Sequence, residues 1–538
     1  MATVRDATLD LLRSHGLTTW FGNPGSSELS LLENFPSDFR YVLGLQEMIP
    51  VGMADAYAQI TGKPAIVNLH TAPGMGNAQG ALYNAFVNKT PLVITAGNQR
   101  RSMQNQYCLL TNTDATIVPK PFVKWSAEPA IASEVPAVLA HAIHLAQTPP
   151  MGPVFVSLPM DDMDVELDAT QIADIGVVRD RKVTHAGGFG GTALTDLASR
   201  LDAATSPALV VGGDVERYGA WDTVIALAER LNAVVWSAPL TGLTGFPENH
   251  PLFQGMLPPA RGWASAALTG RDLVVVLGAP AFRYYPQIPG PYLPVGTELV
   301  HITNDPDEAA RSPMGDAIVA DIRAAAEALL DTVGQTQRPA PPPRPAVGAV
   351  ASSAVPLNPE ALWTLVGSTA PTNALFVSEA GSNEGPISSC IRAGMPFSHL
   401  SAAGGGLGFG LPAALGAQLA APDRPVVALM GDGSIQYAIT ALWTAAQYNI
   451  PVTIVVASNA EYGVLKQFGL IEQTSGVPGL DLPGLDIVTI ATGYGVDAHN
   501  ATDTDHLDEV LRSGIADRDR PTLINVRIAP VQAFGSIA

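Results

Sequence analysis

In the segment Met430-Gly431-Asp432-Gly433-Ser434, a carboxylate stands between two glycines just after the apolar run 425–429; Asn459 follows a second such run, 452–456. If both runs are parallel strands, the carboxylate and the carboxamide emerge at the same edge of one sheet, where open α/β folds bind their ligands. Oxygen donors of this kind suit Mg²⁺, which accepts few protein ligands and completes its octahedron with phosphate and water. Gly431 and Gly433 allow backbone amides to approach an anion closely. Gly-Asp-Gly is also an ordinary strand-end turn, so on its own the pattern leaves both readings open.

Three further residues could do acid–base work. Glu47 opens the helical pattern 47–60, His70 follows the apolar run 65–69, and Ser26 precedes a helix start. An imidazole titrates near neutral pH and can give or take a proton. Read singly, each has a plainer role: a first-turn glutamate, a strand-end histidine, an N-cap serine.

These residues need a scaffold, and the apolar runs supply it. Strand-length runs alternate with helical patterns along the whole chain, which argues for parallel sheets covered by helices: an α/β protein. Strands are expected at 18–21, 41–45, 65–69 and 92–96, with a helix at 77–88; at 208–211, 234–236, 273–277 and 299–302, with a helix at 221–231; and at 425–429 and 452–456, flanking a helix at 436–448. A length of 538 residues exceeds one core and suggests three doubly wound domains, 1–180, 190–335 and 358–538. The Pro-rich stretch 336–357 reads as an extended linker between the last two.

The formal charge of −20 disfavours nucleic acid and anionic membrane as partners. No run is long enough to span a bilayer, and the amino terminus lacks a basic-then-apolar leader, so a cytoplasmic location is expected. Only Cys108 and Cys390 occur, without metal-ligand spacing.

Taken together, Asn23-Pro24-Gly25-Ser26, Gln46-Glu47, Asn68-Leu69-His70, Gly74-Met75-Gly76-Asn77 and the Gly431-Asp432-Gly433 to Asn459 pairing resemble thiamine-diphosphate-dependent 2-oxo-acid decarboxylases and carboligases. The likeness covers the full chain and is greatest to the benzoylformate decarboxylase group, through the stretches 21–26, 402–409 and 441–448. It implies a pyrimidine-binding, a central and a diphosphate-binding domain, with each site formed between two chains. A homodimer is then the minimum unit and a tetramer the fuller assembly.

The resemblance implies two cofactors, thiamine diphosphate and Mg²⁺. Glu47 would face the aminopyrimidine. Asp432, Asn459 and the backbone carbonyl of Glu461 would bind Mg²⁺. Gly433, Ser434, Tyr462 and Gly463 would meet the diphosphate, while Gly405 would accept from the aminopyrimidine and Leu407 would wedge the cofactor into a bent form. Ser26 and His70 would face the substrate. Val464, Leu465 and Phe468 would line its side-chain pocket, with Gly381, Glu384 and Ser401 nearby. The activity implied is non-oxidative decarboxylation of an aryl 2-oxo acid through a thiamine-diphosphate enamine, with acyloin-forming carboligation as the alternative. One departure stands out: Tyr285 occupies the position of a second histidine, and a phenol, with a pKa of roughly 10, is a far weaker acid.

Overall fold

The structure is a computed structural model and describes residues 2–184, 191–345 and 355–530. Three six-stranded sheets, parallel throughout, make the α/β architecture expected from the alternating runs. The first sheet runs Arg40–Leu43, Thr19–Gly22, Ala65–Leu69, Leu92–Asn98, Val154–Pro159, Trp125–Ala127. The second runs Asp316–Val319, Glu298–Thr303, Leu273–Leu277, Ala208–Val211, Val234–Ser237, Phe253–Met256. The third runs His399–Ser401, Leu375–Glu379, Val426–Gly431, Val452–Ser458, Thr522–Arg527, Asp497–Asn500.

Each order contains a point where the chain leaves one strand to one side and returns on the other, opening a crevice at the strand ends. In the first sheet it lies between Thr19–Gly22 and Ala65–Leu69, so the segments after them, Asn23–Glu28 and His70, face each other. In the third it lies between Leu375–Glu379 and Val426–Gly431, which places Gly381 beside Asp432. Strand order, which periodicity does not encode, is what gathers the chemistry.

The first and third sheets share one apolar core, in which the helix Met48–Thr61 packs on the helix Gly410–Ala420. Their contact depends on small residues: a Cβ on Gly416 would lie 1.9 Å from the Met53 carbonyl oxygen. The central sheet has its own cores on either face. Lys89 ties it to the first domain, its ammonium 3.2 Å from Asp214, 3.4 Å from Asp305 and 3.0 Å from Glu308.

Two helices differ from expectation. The helix expected over 77–88 forms as Gln79–Val87, and a separate short helix that the pattern did not indicate, Thr71–Asn77, precedes it. Glycines in 71–77 weaken the helical pattern, but burial of Met75 draws the segment into a turn packed on the strand ends. The helix expected at 436–448 is instead a turn at Asp432–Ile435, a 3₁₀ turn at Gln436–Ala438 and a short helix Ala441–Gln447. Asp432 thereby becomes part of a helical turn capped at Gly431. Within the Pro-rich stretch, Arg338–Pro345 has neither helix nor strand. It is nonetheless held, by Arg338 donating to the carbonyls of Ala204 and Leu231 and by Arg344 donating to that of Ser388. Residues 346–354 lie outside the described residues.

Candidate active site

The loop after Thr19–Gly22 turns at Gly25, because a Cβ there would sit 2.1 Å from His70 Nδ1. This brings a short 3₁₀ turn, Ser26–Glu28, under the imidazole. Glu28, whose side chain has no exposed surface, accepts from His70 Nδ1 at 2.9 Å and the Gly25 amide at 2.8 Å on one oxygen. On the other it accepts from the Gly97 amide at 2.7 Å and Ser27 Oγ at 2.9 Å. Ser27 Oγ also lies 3.1 Å from Nδ1, but its proton goes to Glu28. A carboxylate only accepts, so Nδ1 carries the ring proton and the lone pair is left on Nε2.

Glu28 and Ser27 carry no signal in the motifs read from the sequence, which point to Ser26. Ser26 is exposed and its side chain makes no hydrogen bond among the described residues. The available signal was Glu28 standing three residues after Gly25, where its carboxylate can reach back to the Gly25 amide.

Glu47 sits at the N-cap of Met48–Thr61 without capping it. Its carboxylate accepts from Asn77 Nδ2 at 2.9 Å. Gly74 separates it from the imidazole: a Cβ on Gly74 would be 3.3 Å from Glu47 Cγ and 3.6 Å from His70 Cβ. Glu47 and His70 are therefore neighbours across one glycine, and the Gly74–Asn77 stretch supplies both the space and the amide.

At the third switch point, Asp432 accepts from the amides of Gly433 at 2.9 Å and Ala460 at 2.7 Å. Asn459 Oδ1 accepts from the Glu461 amide at 3.1 Å. The carbonyl of Glu461 accepts no backbone hydrogen bond among the described residues. Antiparallel pairing of Ala460 and Tyr462 with Leu482 and Leu480 fixes this loop. The Glu461 side chain turns away to Lys466, which also pairs with Asp481. Burial raises the Asp432 carboxyl above the usual carboxylate range, a cost that a bound cation would reverse.

No group of three or more His, Cys, Asp or Glu that could hold a metal occurs among the described residues. The donors offered here are different: one carboxylate, one carboxamide and one free carbonyl, all oxygen, with room for phosphate and water. That set fits Mg²⁺. The anion cradle fits too. A Cβ on Gly433 would come within 2.7 Å of the Tyr462 ring, and one on Gly463 within 2.9 Å of Asn459 Nδ2. Ser434 Oγ is turned inward, donating to the Glu379 carbonyl and accepting from the Gly431 amide.

Gly405 adopts φ +71° and is exposed, with nothing within 4 Å of where a Cβ would be. Half-buried Leu407 follows it in a loop held by Asn84, which pairs with Gly406 through both its amide atoms, and by Glu379, which accepts from the amides of Gly408 and Gly410. Val464, Leu465 and Phe468 lie on the helix Gly463–Ile471. Val464 faces Gly381 at ordinary contact distance, whereas Leu465 and Phe468 line an open hollow of about 450 Å³. Tyr285, largely exposed, packs against Phe468 with ring centroids 4.6 Å apart and the planes inclined at 45°. Ser401 donates to the Thr241 carbonyl, and Glu384 accepts from the Ala380 amide and Ser378.

Within the chain two groups result: Glu28, Glu47 and His70 at the first sheet, and Asp432, Asn459 and the glycine cradle at the third. No hydrogen bond joins them among the described residues.

Family models match in the same three blocks. Residues 2–116 match the N-terminal TPP binding domain of thiamine pyrophosphate enzymes, 194–329 the central domain, and 380–526 the C-terminal TPP binding domain. The chain is 47% identical to a benzoylformate decarboxylase of Pseudomonas aeruginosa, across 98% of this chain and 99% of that one. A solved thiamine diphosphate-dependent 4-hydroxybenzoylformate decarboxylase of Rhodococcus jostii RHA1 superposes with a TM-score of 0.94 at 45% identity, covering 98% and 99% of the two chains. A benzoylformate decarboxylase structure from Polynucleobacter necessarius gives 0.94 at 40% identity, covering 98% and 100%.

Proposed function

Since the chain belongs to the thiamine-pyrophosphate-dependent 2-oxo-acid decarboxylase family and is similar over its length to benzoylformate decarboxylases, we propose that it converts an aryl 2-oxo acid, benzoylformate first among them, to the aldehyde and carbon dioxide. It is a thiamine-diphosphate-dependent lyase. The observation that carries the reaction assignment is His70 fixed by Glu28 with Nε2 unoccupied, one glycine away from Glu47.

The cofactor, when bound, supplies the electron sink for the pair released as the carboxylate leaves. The protein's tasks are proton transfer and positioning. Loss of carbon dioxide from R–CO–COO⁻ must be balanced by one proton on the former carbonyl carbon, and the oxygen gains and loses another along the way. Nε2 of His70 can exchange that oxygen proton, giving it when protonated and taking it back when not. Glu47 would pair with the ring nitrogen of the aminopyrimidine, with Asn77 holding its second oxygen. Asp432, Asn459 and the Glu461 carbonyl would carry Mg²⁺ between protein and diphosphate, with Gly433, Ser434, Tyr462 and Gly463 around the anion. Gly405 and Leu407 would face the aminopyrimidine and the bend between the rings. Ser26 would meet the substrate carboxylate, and Val464, Leu465 and Phe468, with Tyr285 packed against the last, would form the wall for its ring.

The same reading has a site shared by two chains, and hence a homodimer or a tetramer built from it. Among the described residues no helix is long and apolar enough to cross a membrane. The test is direct: purified protein with thiamine diphosphate and Mg²⁺ should consume benzoylformate and release equal amounts of carbon dioxide and benzaldehyde. Failure to consume any aryl 2-oxo acid under those conditions overturns the assignment.

A further inference from the structure

A cavity of about 670 Å³ lies between the first and central domains at the strand ends of the central sheet. Its volume is in the range of small-molecule sites. Three cations line it without a carboxylate inside ion-pair distance among the described residues: Lys124, Arg283 and Arg311. Lys124 Nζ donates only to the carbonyls of Leu145 and Thr148, and Arg311 Nε to that of Asp307. Arg283 reaches three carbonyls, one in each domain, at the limit of hydrogen bonding: Leu240 at 3.3 Å, Ala403 at 3.5 Å and Val87 at 3.5 Å.

Acidic residues also border the cavity, but most are committed. Asp305 and Glu308 face Lys89, as does Asp214 behind them, leaving only exposed Asp307. Buried charge is normally paired, and a guanidinium offers a planar fork matched to a carboxylate. The remaining wall is aromatic: Tyr83 and Phe86 keep more than a third of their surface exposed, with Phe282 behind them.

We propose that this cavity is a second binding site, for an aromatic carboxylate, with Arg283 and Lys124 taking the carboxylate and Tyr83 and Phe86 the ring. The site is separate from the catalytic one, although Arg283 precedes Tyr285 by two residues and its partner Ala403 precedes Gly405 by two. An occupant therefore sits where it can bias the cofactor loop. Binding here does not depend on turnover, so its test stands apart from that of the decarboxylase assignment.

The test is calorimetric titration of benzoate into protein loaded with thiamine diphosphate and Mg²⁺, comparing wild type with Lys124→Met, Arg283→Met and His70→Ala. Loss of a charged hydrogen-bond partner should weaken benzoate by about ten-fold or more in Lys124→Met and Arg283→Met, and leave a benzoate site in His70→Ala. Inorganic phosphate, charged without a ring, and benzyl alcohol, a ring without charge, should each bind wild type at least about ten-fold more weakly than benzoate. Because Arg283 also joins three domains, Lys124→Met at the cavity rim carries the test if Arg283→Met unfolds. A benzoate signal lost in His70→Ala and unchanged in Lys124→Met overturns the proposal. So does equal affinity for phosphate and benzoate.

Discussion

Replacing Glu28 by Gln keeps the volume of a fully buried side chain and alters only its hydrogen-bonding chemistry. The native carboxylate accepts four bonds, two on each oxygen, from Gly25, His70, Gly97 and Ser27. A carboxamide has one oxygen and one NH₂, so whichever way it turns, two native donors meet a donor. If the NH₂ faces Gly97 and Ser27, the hydroxyl can rotate but the Gly97 amide is orphaned. If it faces Gly25 and His70, the imidazole must move its proton to Nε2, which abolishes the lone pair the reaction uses.

Each charge-assisted bond lost costs about 1.5–3 kcal/mol, so stability should fall by about 3–5 kcal/mol, comparable with breaking a buried ion pair. A positioned acid–base group contributes about 10²–10⁴ in rate; the second orientation forfeits most of that through the wrong tautomer, and the first weakens the imidazole by removing the negative charge beside its proton. The expected fall in kcat is therefore about 10²–10³, bounded by what His70→Ala costs. Because the two residues act as a unit, the double variant should be scarcely worse than His70→Ala alone. The assay is kcat on benzoylformate, with thermal unfolding and coenzyme uptake measured alongside. A folded, coenzyme-loaded Glu28→Gln with kcat within two-fold of wild type refutes the reasoning, as does strict additivity of the two losses.

Gly433→Ala should fold normally by circular dichroism yet bind thiamine diphosphate at least about ten-fold more weakly by calorimetry, because the added Cβ forces the Tyr462 ring out of the cradle. Lys89→Met leaves Asp214, Asp305 and Glu308 buried without their shared cation and should lower stability by about 3–5 kcal/mol in denaturant titration, separating the first and central domains. Burial pushes Glu216 up to about 7, so the folded state keeps a proton that the unfolded chain releases near 4.5, and stability should fall as pH rises between those values. Glu216→Gln should flatten that slope by up to about 3 kcal/mol, read from unfolding at pH 5 and pH 8; an unchanged slope removes the assignment. Tyr285→His introduces a stronger acid against Phe468 and should shift products from acyloin toward free aldehyde, quantified separately by chromatography.

Much of the site is legible in short stretches of sequence because its requirements are local. Asp432 between two glycines after an apolar run, and Asn459 after the next, need only strand, turn and neighbour chemistry to be read. The three α/β blocks follow likewise from runs whose period is set by adjacent residues. Even so, the short helix Thr71–Asn77 ahead of the expected one was not legible, since its glycines leave the choice to packing around Met75.

What the sequence determined by itself is the set of elements and the glycine-flanked turns at their ends, both fixed by interactions within a few residues. What tertiary structure alone decided is which distant residues meet: Glu28 with His70, Lys89 with acids of the central domain, Arg283 with carbonyls of three domains. Those meetings follow from strand order and the packing of crossover helices, which bring sheet switch points and domain seams together, and no local pattern records them.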